Sequence, residues 1–212
     1  METYPPTSAI VLAGGQSRRL GHDKRRLRLW GEAGPLLLEH VVDLLGQVCD
    51  EVIAVLNDAP EWVSLPARLV PDAYADGGSL GGIYSGLRAA QYSYALVVAC
   101  DMPFLNLDLL RAMLARPRDY DVLAPEALEA GTTRNQLGLE TLHAIYGQGC
   151  LAPMRATLDQ GRRQIAAFFP QVRVATIAPD EVRRYDPQGR SFLNVNTPEQ
   201  AAEATSWLER GA

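Results

Sequence analysis

The sequence predicts one α/β domain, a mostly parallel central sheet with helices on both faces. Three observations carry this. Short apolar runs alternate with helical stretches, as they do when buried strands are joined by crossover helices. The 212 residues fit one large domain. No internal repeat and no low-complexity linker divides the chain.

The strands are read, in order, at Ala9–Ala13, Val52–Leu56, Arg68–Val70, Ala95–Ala99 and Asp121–Ala124, each a short apolar run. Between and after them, Pro35–Val48, Leu80–Ala90, Leu107–Ala115, Cys150–Gln160 and Pro198–Arg210 read as helices. Thr197 is the expected N-cap of the last, with Pro198 at its first helical position. Pro125–Gln136 is the one long polar excursion and reads as a loop. After it, the apolar residues of Leu137–Tyr146 suggest extended structure within the sheet.

Charge and cysteine usage exclude several classes. The formal net charge of −5 argues against a general nucleic-acid binder, so any bound phosphate must meet a local positive cluster. Cys49, Cys100 and Cys150 are odd in number and widely spaced, which fits neither a disulfide framework nor a zinc site. The start, Met-Glu-Thr-Tyr-Pro-Pro, has no basic region and Ala9–Ala13 is too short for a membrane span, so a cytoplasmic protein with no membrane partner is expected.

The strongest chemical signal is Leu12-Ala13-Gly14-Gly15-Gln16-Ser17-Arg18-Arg19-Leu20-Gly21-His22-Asp23-Lys24, which begins where the first strand ends. Ligands of open α/β sheets collect at the carboxyl ends of strands. Gly14 and Gly15 let the backbone turn sharply and offer N–H groups at close range, and Arg19 and Lys24 add positive charge. The spacing is not that of a Walker A loop, and no G-x-G-x-x-G occurs. Taken alone, the segment also fits a glycine-rich turn followed by a solvated basic face.

Two further segments end strands in the same way. Ala99-Cys100-Asp101-Met102-Pro103 delivers a carboxylate, and Mg²⁺ commonly takes one or two carboxylates with phosphate oxygens and waters. Phe192-Leu193-Asn194-Val195-Asn196-Thr197-Pro198-Glu199 places Asn194 and Asn196 on one side of an extended segment, where an amide oxygen can complete a metal shell. Each also has a plainer reading, as a cap or as turn residues satisfying backbone.

Together these segments resemble the molybdenum-cofactor guanylyltransferases of the MobA-like NTP transferase family. Their L-A-G-G-x-S-x-R-M-G-x-D-K signature is matched with Leu20 in place of Met, and N-V-N-T-P-E is matched outright. Gly78–Gly82 reads G-S-L-G-G where the family has G-P-L-A-G. The resemblance is dense from Ile10 to Lys24, Asp72 to Gly86, Ala99 to Pro103 and Phe192 to Glu199. It is weak from Pro125 to Gln171, where Gly161-Arg162-Arg163 still follows the pattern.

What the resemblance implies is a single Rossmann-like nucleotidyltransferase domain over 1–212, with a nucleotide half at about 8–105 and a pterin half at about 106–212. It would move GMP from Mg·GTP to the terminal phosphate of molybdopterin. Leu12, Ala13, Gly14, Gly15, Lys24, Asn57, Asp72, Gly82 and Asp101 would bind the nucleotide, and Asp101 and Asn196 the Mg²⁺. Lys24 would meet the α-phosphate and Arg19 the triphosphate tail. Delivery or acceptor proteins for the cofactor are possible partners. The alternatives are a cytidylyltransferase of the same cofactor, another sugar- or pterin-phosphate nucleotidyltransferase, or a nucleotide-binding regulatory protein. Gly14, in Ala13-Gly14-Gly15 where cytidylyl-transferring relatives read A-A-G, favours guanine.

Overall fold

In a computed structural model, which describes residues 4–14, 23–74, 76–128 and 137–209, the apolar runs become strands of one sheet. These are β1 (Ser8–Leu12), β2 (Glu51–Val55), β3 (Arg68–Val70), β4 (Tyr94–Ala99), β5 (Val122–Pro125), β6 (His143–Gly147) and β7 (Val174–Ile177). The helices are α1 (Leu37–Gly46), α2 (Gly78–Ala89), α3 (Leu107–Leu114), α4 (Leu151–Asp159), α5 (Pro179–Tyr185) and α6 (Pro198–Glu209).

Among the described residues the sheet has seven strands in the order β3-β2-β1-β4-β6-β5-β7. β1, β2, β3 and β4 run parallel. β6 is antiparallel to both β4 and β5, and β7 is parallel to β5. Two reversals restore the direction, so β5 and β7 run with β1–β4. One rim of the sheet therefore carries the carboxyl ends of every strand but β6, which contributes its start.

Alternation along the strands divides the apolar side chains between two cores. Ala9, Val11, Ala54, Leu96 and Val98 face α1 and α3, which contribute Leu37, Leu38, Val41, Leu109, Leu110 and Met113. Ile10, Ile53, Val55, Val97 and Tyr146 face α2 and α4, with Leu80, Ile83, Leu87, Met154 and Leu158. Helices thus cover both faces, as expected. Each buried Leu, Ile or Val contributes roughly 1.5–3 kcal/mol, which is why the central strands are apolar on both sides. Gly86 lets α2 approach the sheet closely, since a Cβ there would lie 2.5 Å from Ile10 Cγ2.

The last helix begins as its sequence indicates, with the Gln200 N–H donating to Thr197 Oγ1 at 3.3 Å. The segment read as extended, Leu137–Tyr146, is broken in two. Leu139 bridges Glu126, and a turn at Thr141–Leu142 precedes β6. β7 and α5 were absent from the sequence reading. Of the loop expected at Pro125–Gln136, only the part up to Leu128 falls within the described residues. No helix among them is long and apolar enough to cross a membrane.

Candidate active site

A cleft of about 1490 Å³ opens along the carboxyl rim. It exceeds the roughly 300–1,000 Å³ typical of a site for one small ligand, so it has room for two substrates side by side.

Its floor is built where β1 and β4 end together. The Cys100 N–H donates to the Leu12 carbonyl at 3.2 Å, and the Val195 N–H to the Asp101 carbonyl at 2.9 Å. The first bond ties the two strands and the second brings the Asn194–Asn196 segment beside them. Asp101 is 5% exposed. Its Oδ2 accepts a hydrogen bond from Lys24 Nζ at 2.6 Å, and the same ammonium donates to Asn196 Oδ1 at 3.2 Å. Residues separated by 77 and 172 positions in the chain thus converge on one point.

Among the described residues, Asp101 Oδ1 is buried with no hydrogen-bond partner. Lys24 draws the two residues together through Asp101 Oδ2 and Asn196 Oδ1, and a carboxylate with an amide oxygen is a donor set a hard divalent ion takes when phosphate oxygens and waters complete its shell. Among the described residues no cluster of three or more His, Cys, Asp or Glu side chains offers an alternative centre. Asn194 also lines the cleft, but its amide nitrogen donates to the Phe192 carbonyl at 3.1 Å.

On the β2–β3 side, Asn57 and Asp72 are joined directly: the Asp72 N–H donates to Asn57 Oδ1 at 2.9 Å. Asp72 Oδ1 accepts from the Tyr74 N–H at 3.0 Å and lies 3.0 Å from Ser85 Oγ. Leu12, Gly14 and Gly82 line the same end, with Gly78 and Ser79 of the first turn of α2. A Cβ on Gly82 would stand 3.1 Å from Leu12 Cδ2, so this glycine keeps the floor open. Ala13 is placed differently. Its methyl is buried, its N–H donates to the Val55 carbonyl at 2.9 Å and its carbonyl accepts from Arg25 Nη1 at 3.1 Å. It does not line the cleft. Gly15 and Arg19 lie outside the described residues.

The basic residues after Lys24 serve the scaffold. Arg25 donates to Asp23 and Asp58, and its guanidinium lies 5.3 Å from the centre of the Trp62 ring. Burial opposes ionisation of Asp23, but the bonds from Arg25 hold its carboxyl below the usual range. Arg26 pairs with Glu61 at 2.5 Å and Arg28 donates to the Gly34 carbonyl.

The β5–β7 side contains site residues that sequence reasoning did not single out. Arg183 lines it, held by the Leu128 carbonyl at 2.8 Å; Arg162 and Arg163, both exposed, line the cleft just after α4, whose Asp159 accepts from the Tyr74 hydroxyl beside Asp72. The G-R-R following α4 was the only signal in the sequence. Glu140 lines the cleft as well, and burial pushes its carboxyl up to about 7. Cys100 reaches the cleft, but burial first and Asp101 second push its thiol up to about 12. A thiol so rarely ionised is a poor nucleophile.

Comparison with known proteins places the chain in a family. Residues 9–176 match the MobA-like NTP transferase domain. The chain is 43% identical over 208 residues, 98% of each chain, to a protein of Chloroflexus aggregans named probable molybdenum cofactor guanylyltransferase. It is 35% identical over 205 residues, 96% of each, to the molybdenum cofactor guanylyltransferase of Desulfosudis oleivorans. The crystal structure of molybdopterin-guanine dinucleotide biosynthesis protein A from Archaeoglobus fulgidus superposes with a TM-score of 0.79. That match is 25% identical and covers 96% of this chain and 100% of the other.

Proposed function

Because the chain belongs to the MobA-like NTP transferase family, we propose that it transfers GMP from Mg·GTP to the terminal phosphate of molybdopterin, releasing pyrophosphate. The observation that carries this reading is the convergence of Lys24, Asp101 and Asn196 midway along the rim. The cleft extends from them toward Asn57 and Asp72 on the β2–β3 side and toward Arg183 and Glu140 at the far side, with Arg162 and Arg163 also in its lining.

A phosphate oxygen of molybdopterin attacks the α-phosphorus of GTP. A new P–O–P link forms as the bond to the β-phosphate oxygen breaks, and pyrophosphate leaves. The attacking phosphate is anionic at neutral pH, its second pKa being about 6, so alignment and charge neutralisation matter more than a general base. A carboxylate and an amide oxygen, Asp101 Oδ1 and Asn196 Oδ1, would hold Mg²⁺. When bound, the ion neutralises phosphate charge as a Lewis acid. The Lys24 ammonium is within reach of the same point and supplies a mobile positive charge to the α-phosphate. Arg19 is assigned to the triphosphate tail.

The Asn57 amide oxygen and the Asp72 carboxylate are acceptors suited to the N1–H and N2–H₂ donors of guanine. Asp72 has one oxygen already held by Tyr74, which fixes the direction of the other. Arg162, Arg163 and Arg183 give an acidic protein the local cations an anionic pterin needs. The nucleotide then belongs to the β1–β4 side and the pterin to the β5–β7 side.

The test is to supply radiolabelled GTP, CTP or ATP with molybdopterin and identify the product. Label from GTP should appear in a pterin dinucleotide, with one pyrophosphate released per transfer. Label entering from CTP instead would replace the guanylyl reading with the cytidylyl one.

A further inference from the structure

Glu140 is fixed at its backbone and unsatisfied at its side chain. Its N–H donates to the Pro125 carbonyl at 2.8 Å and its carbonyl accepts from the His143 N–H at 3.1 Å. These bonds pin it to the rim between the end of β5 and the start of β6. Its carboxylate faces the cleft, and among the described residues it takes part in no hydrogen bond or ion pair. Arg162, Arg163 and Arg183 line the cleft without pairing with it among the described residues. The neighbouring walls are apolar, formed by Leu139, Leu142, Ile165 and Phe169.

A carboxyl in such surroundings loses hydration without gaining a partner, which is costly unless a ligand supplies donors. Its raised pKa, caused by burial alone, reflects the same deficit. A ligand that offers N–H donors on an otherwise apolar ring system satisfies both the carboxyl and the apolar walls around it.

Position decides which substrate this is. β5 lies two strands from β4 and four from β2. At about 4.8 Å per strand that is about 10 Å from the Asp101 strand and about 19 Å from the Asn57 strand. Glu140 is therefore on the opposite side of the reacting phosphates from the guanine.

We propose that Glu140 binds the 2-amino-4-oxopyrimidine edge of the pterin, its two carboxylate oxygens accepting hydrogen bonds from the ring N–H and the exocyclic amine. The proposal rests on the guanylyl-transfer reading above and adds the residue that recognises the acceptor. Leu142, Ile165 and Phe169 enclose the ring system, while the arginines serve its phosphate end.

The experiment measures steady-state GMP transfer to molybdopterin by the wild type and Glu140→Gln, with free pterin and lumazine, which lacks the 2-amino group, as competing inhibitors. Glu140→Gln should raise the KM for molybdopterin about tenfold or more, the value of a lost hydrogen bond to a charged group, with kcat within about twofold. An unchanged KM for GTP shows that the variant is folded. Pterin should inhibit the wild type at lower concentration than lumazine, and Glu140→Gln should abolish that preference. Equal inhibition of the wild type by both compounds, or an unchanged molybdopterin KM in the variant, overturns the proposal while wild-type GMP transfer leaves the functional reading standing. A wild type that transfers no GMP to molybdopterin overturns both.

Discussion

Lys24 Nζ lies 2.6 Å from Asp101 Oδ2, so the segment after β1 and the end of β4 neutralise each other on the floor of the cleft. Both side chains are largely buried, 16% and 7% exposed. Asp101→Ala should lower turnover by at least about 10²-fold, since it removes a charge that organises the reacting phosphates. The carboxylate stands at the rim outside both cores, so the far-UV circular dichroism spectrum should be retained. Near-normal Mg²⁺-dependent single-turnover rates would take Asp101 out of the machinery.

Lys24→Ala deletes a point charge that reaches Asp101, Asn196 and, in the proposed mechanism, the phosphate under attack. Its loss should be felt more in the transition state than in GTP binding, with kcat falling at least about tenfold further than KM for GTP rises. Weakened GTP binding with unchanged kcat would mean that Lys24 only holds the bound substrate.

Gly14→Ala isolates base selection. Among the described residues a Cβ at this position meets nothing nearer than the Val55 carbonyl at 3.8 Å, an ordinary contact, so they accept the methyl group. Any change in specificity then arises against the ligand. The ratio of kcat/KM for GTP to that for CTP should fall, because the larger base needs the space beside the backbone. An unaltered ratio would place base selection elsewhere.

A buried group and a half-buried one near it in sequence should oppose each other in acid. His143 is fully buried, neither ring nitrogen has a partner, and burial lowers its pKa from 6.5 to about 4. As pH falls below 6.5 the unfolded chain gains this proton first, so stability is lost down to pH 4, by up to about 3 kcal/mol. Glu140, raised from 4.5 to about 7, does the reverse: the folded chain gains its proton first, and stability rises as pH falls from 7 to 4.5. Urea midpoints at pH 7 and pH 4.5 should therefore diverge. Relative to the wild type, His143→Leu should gain stability on acidification and Glu140→Gln should lose it. Parallel shifts in all three proteins would contradict this assignment.

Much of the left half of the sheet was legible because its strands are continuous apolar runs. Arg68–Val70 is read with the observed bounds, and the expected Ala9–Ala13 and Ala95–Ala99 each differ from β1 and β4 by one residue at one or both ends. β7 was missed because Val174–Ile177 is an edge strand, largely half-buried, with a polar Thr176. α5 is seven residues long, too short to establish a helical period. Asp101 and Asn196 were legible because each follows an apolar strand-like run, and Lys24 because it closes the glycine-rich basic segment after the first strand. Glu140 was not, since its significance lies in lacking a partner, and absence of a contact leaves no mark on local sequence. Ala13 shows the opposite error: membership of a loop motif implied exposure, whereas alternation from Val11 turns its methyl into the core.

The reversed direction of β6 has an evolutionary consequence. β4 is shared by the two halves of the cleft, but the residues facing the donor hang on β1–β3 and those facing the acceptor hang on β5–β7 and the start of β6. Changes at Glu140 and Arg183 touch none of the bonds that hold Asn57 and Asp72, whereas Arg162 follows α4, whose Asp159 accepts from Tyr74 beside Asp72. A lineage built on this sheet can change what receives the nucleotide while keeping which nucleotide it gives. A graft of residues 137–190 from a relative with another phosphorylated acceptor makes that exchange in one step only if it keeps the β4–β6 pairing, the α2–α4 packing and the Tyr74–Asp159 bond.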